Sequence, residues 1–233
     1  MYHPFSVPDT LKTAWYLLKR NFSIVSIYSL IGFATVTVMS FVIYFVLYGN
    51  LLTSLGIVAL LVGISFIFLG FIKLVFQLID KEYYDFEFRD IVPDIKMLFS
   101  YLLLLILVST LSVFITNAIK ALDQGWTQNI LGIVTWIFFQ FFFLFYFPIC
   151  ACFIVDDSSG PFESVIQSLQ LIKGNFFKYF LLFAVIELMV FVGSITVIGM
   201  LFVIPFVNII LVVAYRKLIY SHQDVDDDLS ETT

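Results

Sequence analysis

The sequence is short of charge. Of its 233 residues only 12% are Asp, Glu, Lys or Arg, 61% are hydrophobic, and the mean hydropathy is +1.05. A water-soluble domain carries about 25% charge on about 45–50% apolar residues, so this chain has too few polar groups to cover a surface in water. Histidine is scarce too. His3 and His222, near the two ends, are the only ones, which excludes chemistry built on a cage of several histidines. Cys150 and Cys152 stand two apart in an apolar stretch. On a helix they point to different sides, so they read as small buried hydrophobes and not as a disulfide framework or metal site.

Motifs are missing in the same way. There is no HExxH, no glycine-rich phosphate loop and no CxxC. No basic run of the kind nucleic acid requires is present. Asp80, Glu82, Asp85 and Glu87 crowd one segment, but without the spacing of a calcium loop they read as a solvated acidic loop. The expectation is a protein that is not an enzyme, with no catalytic, cofactor-binding or metal-binding residues and no nucleic-acid partner.

What the chain does have is long apolar runs and 29 phenylalanines. Residues 22–48, 51–79, 97–118, 130–155, 176–191 and 199–220 read as six transmembrane helices. The first run is too long for a signal-peptide core and has no small-residue cleavage pattern behind it, so it is expected to stay as a span. Gly49 and Asn50 predict a tight turn after it. Pro148 in the fourth run and Pro205 in the sixth are expected to kink their helices. Residues 1–221 form one transmembrane domain. Residues 222–233, with Asp224, Asp226, Asp227, Asp228 and Glu231, read as an acidic disordered tail.

Charge sets the orientation. Lys12, Lys19, Arg20, Lys81, Arg89, Lys96, Lys173, Lys178, Arg216 and Lys217 fall on one side of a six-span chain, against Lys120 alone on the other. The excess of Lys and Arg on cytoplasmic loops then places both termini in the cytoplasm.

A repeat lies beneath the six runs. A shift of 154 residues lays LLKRNF at 17–22 on LIKGNF at 171–176. It also lays Leu11, Trp15, Leu18 and Phe22 on Val165, Leu169, Ile172 and Phe176. A shift of 80 adds Ile91, Ile95, Leu98 and Leu102. The fold expected is all-α: six transmembrane helices as three hairpins, each preceded by a cytoplasmic amphipathic helix. Trp15, Leu18, Ile95, Leu98, Leu169 and Ile172 form the amphipathic interface, which either lies in the headgroup boundary or docks on neighbouring spans. In the third copy Gly160 is the expected N-cap, Pro161 the first helical residue and Glu163 the capping-box acid.

Polar groups inside a membrane are expensive unless paired, so they mark candidate sites. Glu187 and Asn208 both lie about 17 Å deep at the helical rise of about 1.5 Å per residue. A contact or shared polar pocket is expected between them, with Gln140 somewhat deeper. Lys73 is expected to snorkel to the interface; an ion pair with Glu187 would require it to reach inward.

Pro148, the pair Asp156 and Asp157, the Ser164 to Ser168 stretch, Lys173 with Gly174 and Asn175, Pro205, and the Ala214, Tyr215, Arg216 ending carry a resemblance. Over residues 145–220 the chain is similar to bacterial six-helix inner-membrane proteins of the YciC-like kind. It also resembles the membrane domain of some glycerophosphodiester phosphodiesterases. The resemblance implies a six-helix integral fold in a bacterial inner membrane and no defined activity; the phosphodiesterase reaction is not carried over. The function expected is a non-enzymatic accessory or scaffold subunit. Its expected partners are membrane lipids and a membrane protein complex or second copies of itself. The alternative is a small transporter or channel with a mid-membrane polar site near Glu187, which would need broken helices and a wet polar path.

Overall fold

In the computed structural model the described residues are 5–45, 50–80, 88–122 and 125–230, with 222–230 described by their backbone alone. The expected turn at Gly49, the loop residues Lys81, Glu82, Asp85 and Glu87, and His3 lie outside them.

Helix α1, Val7–Arg20, leaves an extended Ser6, with Pro8 and Asp9 in its first turn and Lys19 and Arg20 in its last. Proline is tolerated there because the first N–H groups have no partner within the helix, and the charges at each end match the helix dipole. Asn21 then breaks the chain at φ −112° and ψ 25° before α2, Phe22–Phe45. Helix α3 is Asn50–Asp80 and α4 is Ile95–Lys120. Helix α5, Trp126–Phe141, passes through a π-helical segment, Phe142–Tyr146, into α6, Phe147–Asp156. Helix α7, Pro161–Lys173, precedes α8, Phe176–Gly193, and α9, Val197–Ser230. Its capping box is present, with the Gly160 N–H donating to the Glu163 carboxylate at 3.4 Å.

Among the described residues six stretches are long and apolar enough to cross a membrane: Phe22–Phe45, Leu51–Asp80, Arg89–Lys120, Trp126–Asp156, Phe176–Gly193 and Ile198–Ser221. By these helices the chain is a multi-pass membrane protein. Just before Pro148, where a kink is expected, stands the π segment. Proline has no N–H to give, and its ring crowds the carbonyl four residues back, so a widened turn relieves the strain. Pro205 sits within α9 without ending it. Helix α9 continues past the end of the sixth apolar stretch at Ser221 as far as Ser230. No glycine or proline follows Pro205 to stop the helix.

Helices α3, α6 and α9 pack on one another and form the centre. Leu69, Leu74, Ile149, Ile154, Ile209 and Ile210 fill it and are fully buried. Helix α2 lies against α3 and α9, α4 against α3 and α6, and α8 against α9. The Tyr179 hydroxyl of α8 also donates to the Phe145 carbonyl of the π segment at 3.1 Å. At the end where α3 and α6 finish, α1 rests on α9, the 3-10 turn Phe88–Ile91 on α3, and α7 on α6.

The residues of the expected interface differ in how far the protein itself covers them. Leu18 and Ile172 are buried and Leu98 is half-buried, but Trp15 is 58% exposed, Leu169 45% and Ile95 86%. The faces turned inward carry Thr10 and Ala14 on α1, and Ser164 and Ser168 on α7, all fully buried. Small residues let two helix backbones approach closely, and this outweighs the larger apolar area of a tryptophan that lipid can cover as well as protein can. No separate helix precedes α4 among the described residues. Pro93 disfavours helical geometry at Val92 and itself lacks an N–H. Residues 88–91 therefore make one 3-10 turn, and Ile95 and Leu98 belong to α4 itself.

Helices α2 and α3 cross at glycines. The Tyr28 hydroxyl donates to the Ile67 carbonyl at 3.0 Å, directly over Gly70, and a Cβ at Gly32 would stand 2.9 Å from Ile67 Cγ2. Gly70→Ala is therefore expected to lower stability in detergent by about 1–3 kcal/mol, as overpacking does. In a Tyr28→Phe background the cost should shrink, because the hydroxyl that the new methyl meets is gone. Equal costs in both backgrounds by thermal unfolding would refute that crossing.

Candidate functional site

The central helices carry their charge at one end. Asp80 is the last residue of α3 and Asp156 the last of α6. Arg216 of α9 lies between them. Its Nη2 donates to Asp80 Oδ2 at 2.6 Å and its Nη1 to Asp156 Oδ2 at 3.1 Å. The Tyr215 hydroxyl donates to the same Asp156 oxygen at 3.1 Å. The guanidinium sits over the Phe76 ring, 4.7 Å from its centre.

Each part has a physical cause. A carboxylate at a helix C-terminus opposes the dipole, so two such ends side by side need a cation. A guanidinium serves both because its planar fork presents donors on different nitrogens, and its face stacks on an aromatic ring. The Tyr215 ring is held edge-on by Phe76 at 5.7 Å and by Phe153 at 4.9 Å, which aims its hydroxyl at Asp156. The Arg216 and Asp156 side chains are 20% and 19% exposed, against 45% for Asp80. Arg216 Nε is enclosed and has no hydrogen-bond partner. The cluster is a clasp between three helices, with every carboxylate oxygen that it uses committed to the cation. Among the described residues no three His, Cys, Asp or Glu side chains converge as metal ligands would.

Neighbouring bonds extend the clasp. Lys217 Nζ donates to Thr13 Oγ1 at 3.1 Å, joining α9 to α1. Asn175 Nδ2 donates to Ser221 Oγ at 3.3 Å, joining the start of α8 to α9. Cys150 Sγ lies 3.2 Å from Ser168 Oγ, inside the contact of α6 with α7.

The four polar residues singled out in the sequence are not brought together. Lys73 Nζ donates to the Val92 carbonyl at 2.8 Å and so pins the 3-10 turn to α3. Asn208 Nδ2 donates to the carbonyl of its own Ile204 at 2.9 Å. Glu187 is half-buried on α8 and Gln140 is exposed on α5. No hydrogen bond of the structure links any two of these four. Equal depth puts residues at one level of the bilayer, but the angle around each helix decides what they face.

Asn208 does border a cleft of about 310 Å³ between α2, α3 and α9, lined with Phe33, Ile64, Phe68 and Ile204 among others. The clasp itself left a signal that went unused. Two apolar runs end on aspartate, and the last one meets an arginine near its end.

Breaking a buried ion pair costs about 3–5 kcal/mol and an exposed one about 0–1 kcal/mol. Unfolding in detergent is expected to rank Arg216→Ala as most costly, then Asp156→Ala, with Asp80→Ala close to the exposed limit. A double-mutant cycle of Arg216 with Asp156 should show coupling of about 0.5–3 kcal/mol. Additive single changes would mean that the clasp does not hold the helices. Compared with known proteins, the chain matches no family model, no curated protein and no solved structure, which leaves the clasp and the cleft as the features that bear on function.

Proposed function

We propose that the protein is a non-enzymatic accessory or scaffold subunit of a bacterial inner membrane, binding lipid or a membrane protein partner. The observation that carries this reading is the closed packing of α3, α6 and α9. Their shared interior is filled with fully buried aliphatic side chains from Leu69 to Ile210, and the polar residues at mid-depth stand apart from it. A transport path would need broken helices and convergent polar groups there. The alternative, a small transporter or channel working near Glu187, has less support for that reason.

The orientation belongs to the same proposal, with both termini and the clasp on the cytoplasmic side by the excess of Lys and Arg there. So does the resemblance to the YciC-like group. The three-unit architecture is part of it too, and several observations support it. Asn175 between α7 and α8 has φ −126° and ψ 26°, close to the geometry of Asn21 between α1 and α2. Buried Thr10, Ala14, Leu18, Val25 and Gly32 correspond, at a shift of 154, to buried Ser164, Ser168, Ile172, Tyr179 and Ile186. Each leading segment also rests on the last helix of the unit before it, and α1 closes the ring on α9.

Purification of the tagged full chain from its native membrane in mild detergent, with mass spectrometry of proteins and lipids, tests the proposal. A stoichiometric partner or an enriched lipid is expected. Recovery of the chain alone, with neither, would overturn it. A proton flux in reconstituted vesicles that Glu187→Gln abolishes would favour the transporter.

A further inference from the structure

A groove opens sideways between α2 and α9. Its first part, about 270 Å³, is lined by Leu18, Phe22, Ser26 and Leu30 near the end of α1. Ser29, Leu201 and Pro205 line both this part and the 310 Å³ cleft between α2, α3 and α9, so the two meet along α2. Together they reach the size of small-molecule sites, about 300–1,000 Å³. The stacked rings of Phe22 and Phe202, 6.1 Å apart, form part of its wall.

The groove presents mainly hydrocarbon, and three of its polar side chains are turned to backbone. Ser29 Oγ donates to the Val25 carbonyl at 2.8 Å, the Tyr28 hydroxyl to the Ile67 carbonyl, and the Asn208 amide to the Ile204 carbonyl. An apolar slot that is lined by Leu18 at the end of α1 and continues along α2 to Val36 fits an alkyl chain. The helix at its mouth carries the matching headgroup features. Lys12, Trp15, Tyr16 and Lys19 are all exposed on α1. Aromatic rings sit at the membrane boundary, and lysines there attract anionic lipid.

We propose that this groove binds one anionic glycerophospholipid, an acyl chain lying along α2 and its phosphate beside Lys19. The proposal rests on the lipid-binding reading above and names its site. It is tested on the purified full chain equilibrated with equal amounts of phosphatidylglycerol and phosphatidylcholine, with retained lipid counted by native mass spectrometry. One phosphatidylglycerol per chain is expected. Ile204→Trp and Val36→Trp, which fill the groove from opposite walls, should each lower its retention about tenfold, equivalent to about 1.4 kcal/mol. Lys19→Gln should leave the chain occupied but bring the two lipids near parity. If both tryptophan variants keep the wild-type melting temperature and still retain the lipid, the groove is not the site, while lipid binding itself stands. If the wild-type protein retains no lipid, this proposal and the lipid half of the functional reading fall together, whatever protein partner is recovered.

Discussion

One guanidinium between two carboxylates organises the end of this bundle. Helices α3 and α6 both finish on aspartate, and each would leave a negative charge where the helix dipole is already negative. Arg216 offsets both, so α9 must lie within reach of α3 and α6 together. The clasp is graded by burial. Asp156, accepting from Arg216 and Tyr215 and largely covered, is the firm side, and the more exposed Asp80 is the looser one.

The rest of the fold follows from bringing three helices that close in a solvent as apolar as they are. Hydrophobicity gives no net drive for helix to join helix in lipid, so packing quality and hydrogen bonds decide which faces meet. That is why Ala14 and Ser168 turn inward while Trp15 and Leu169 turn outward. It is also why polar side chains such as Tyr28, Tyr179 and Lys73 are directed to backbone carbonyls, on Ile67, Phe145 and Val92. At Gly32 and Gly70 the missing side chain leaves room for Ile67 and for the Tyr28 hydroxyl of the facing helix.

The groove along α2 is a by-product of the same arrangement. Helix α2 lies against α3 around Gly32 and against α9 at Phe22, and a slot lined by all three helices remains between them. Its walls are mainly apolar, and Ser29, Tyr28 and Asn208 beside it donate to backbone carbonyls.

The sequence by itself determined the class of molecule, the six spans and the place of α1 and α7. Those rest on run length, hydropathy and local breakers such as Asn21, Asn175 and Pro161, which act within a few residues. The mismatch at α4 was local as well, since Pro93 could have been read as a break. What only the tertiary structure decided was azimuth and pairing. Glu187 and Asn208 are joined by no hydrogen bond, Trp15 is largely exposed while its ring edge meets Phe206, and Asp80, Asp156 and Arg216 meet across 136 and 60 residues of chain. Hydropathy measures how well a residue tolerates lipid. In a membrane an apolar side chain is tolerated equally inside the bundle and on its surface, so only the fit of helix against helix settles which way each residue faces.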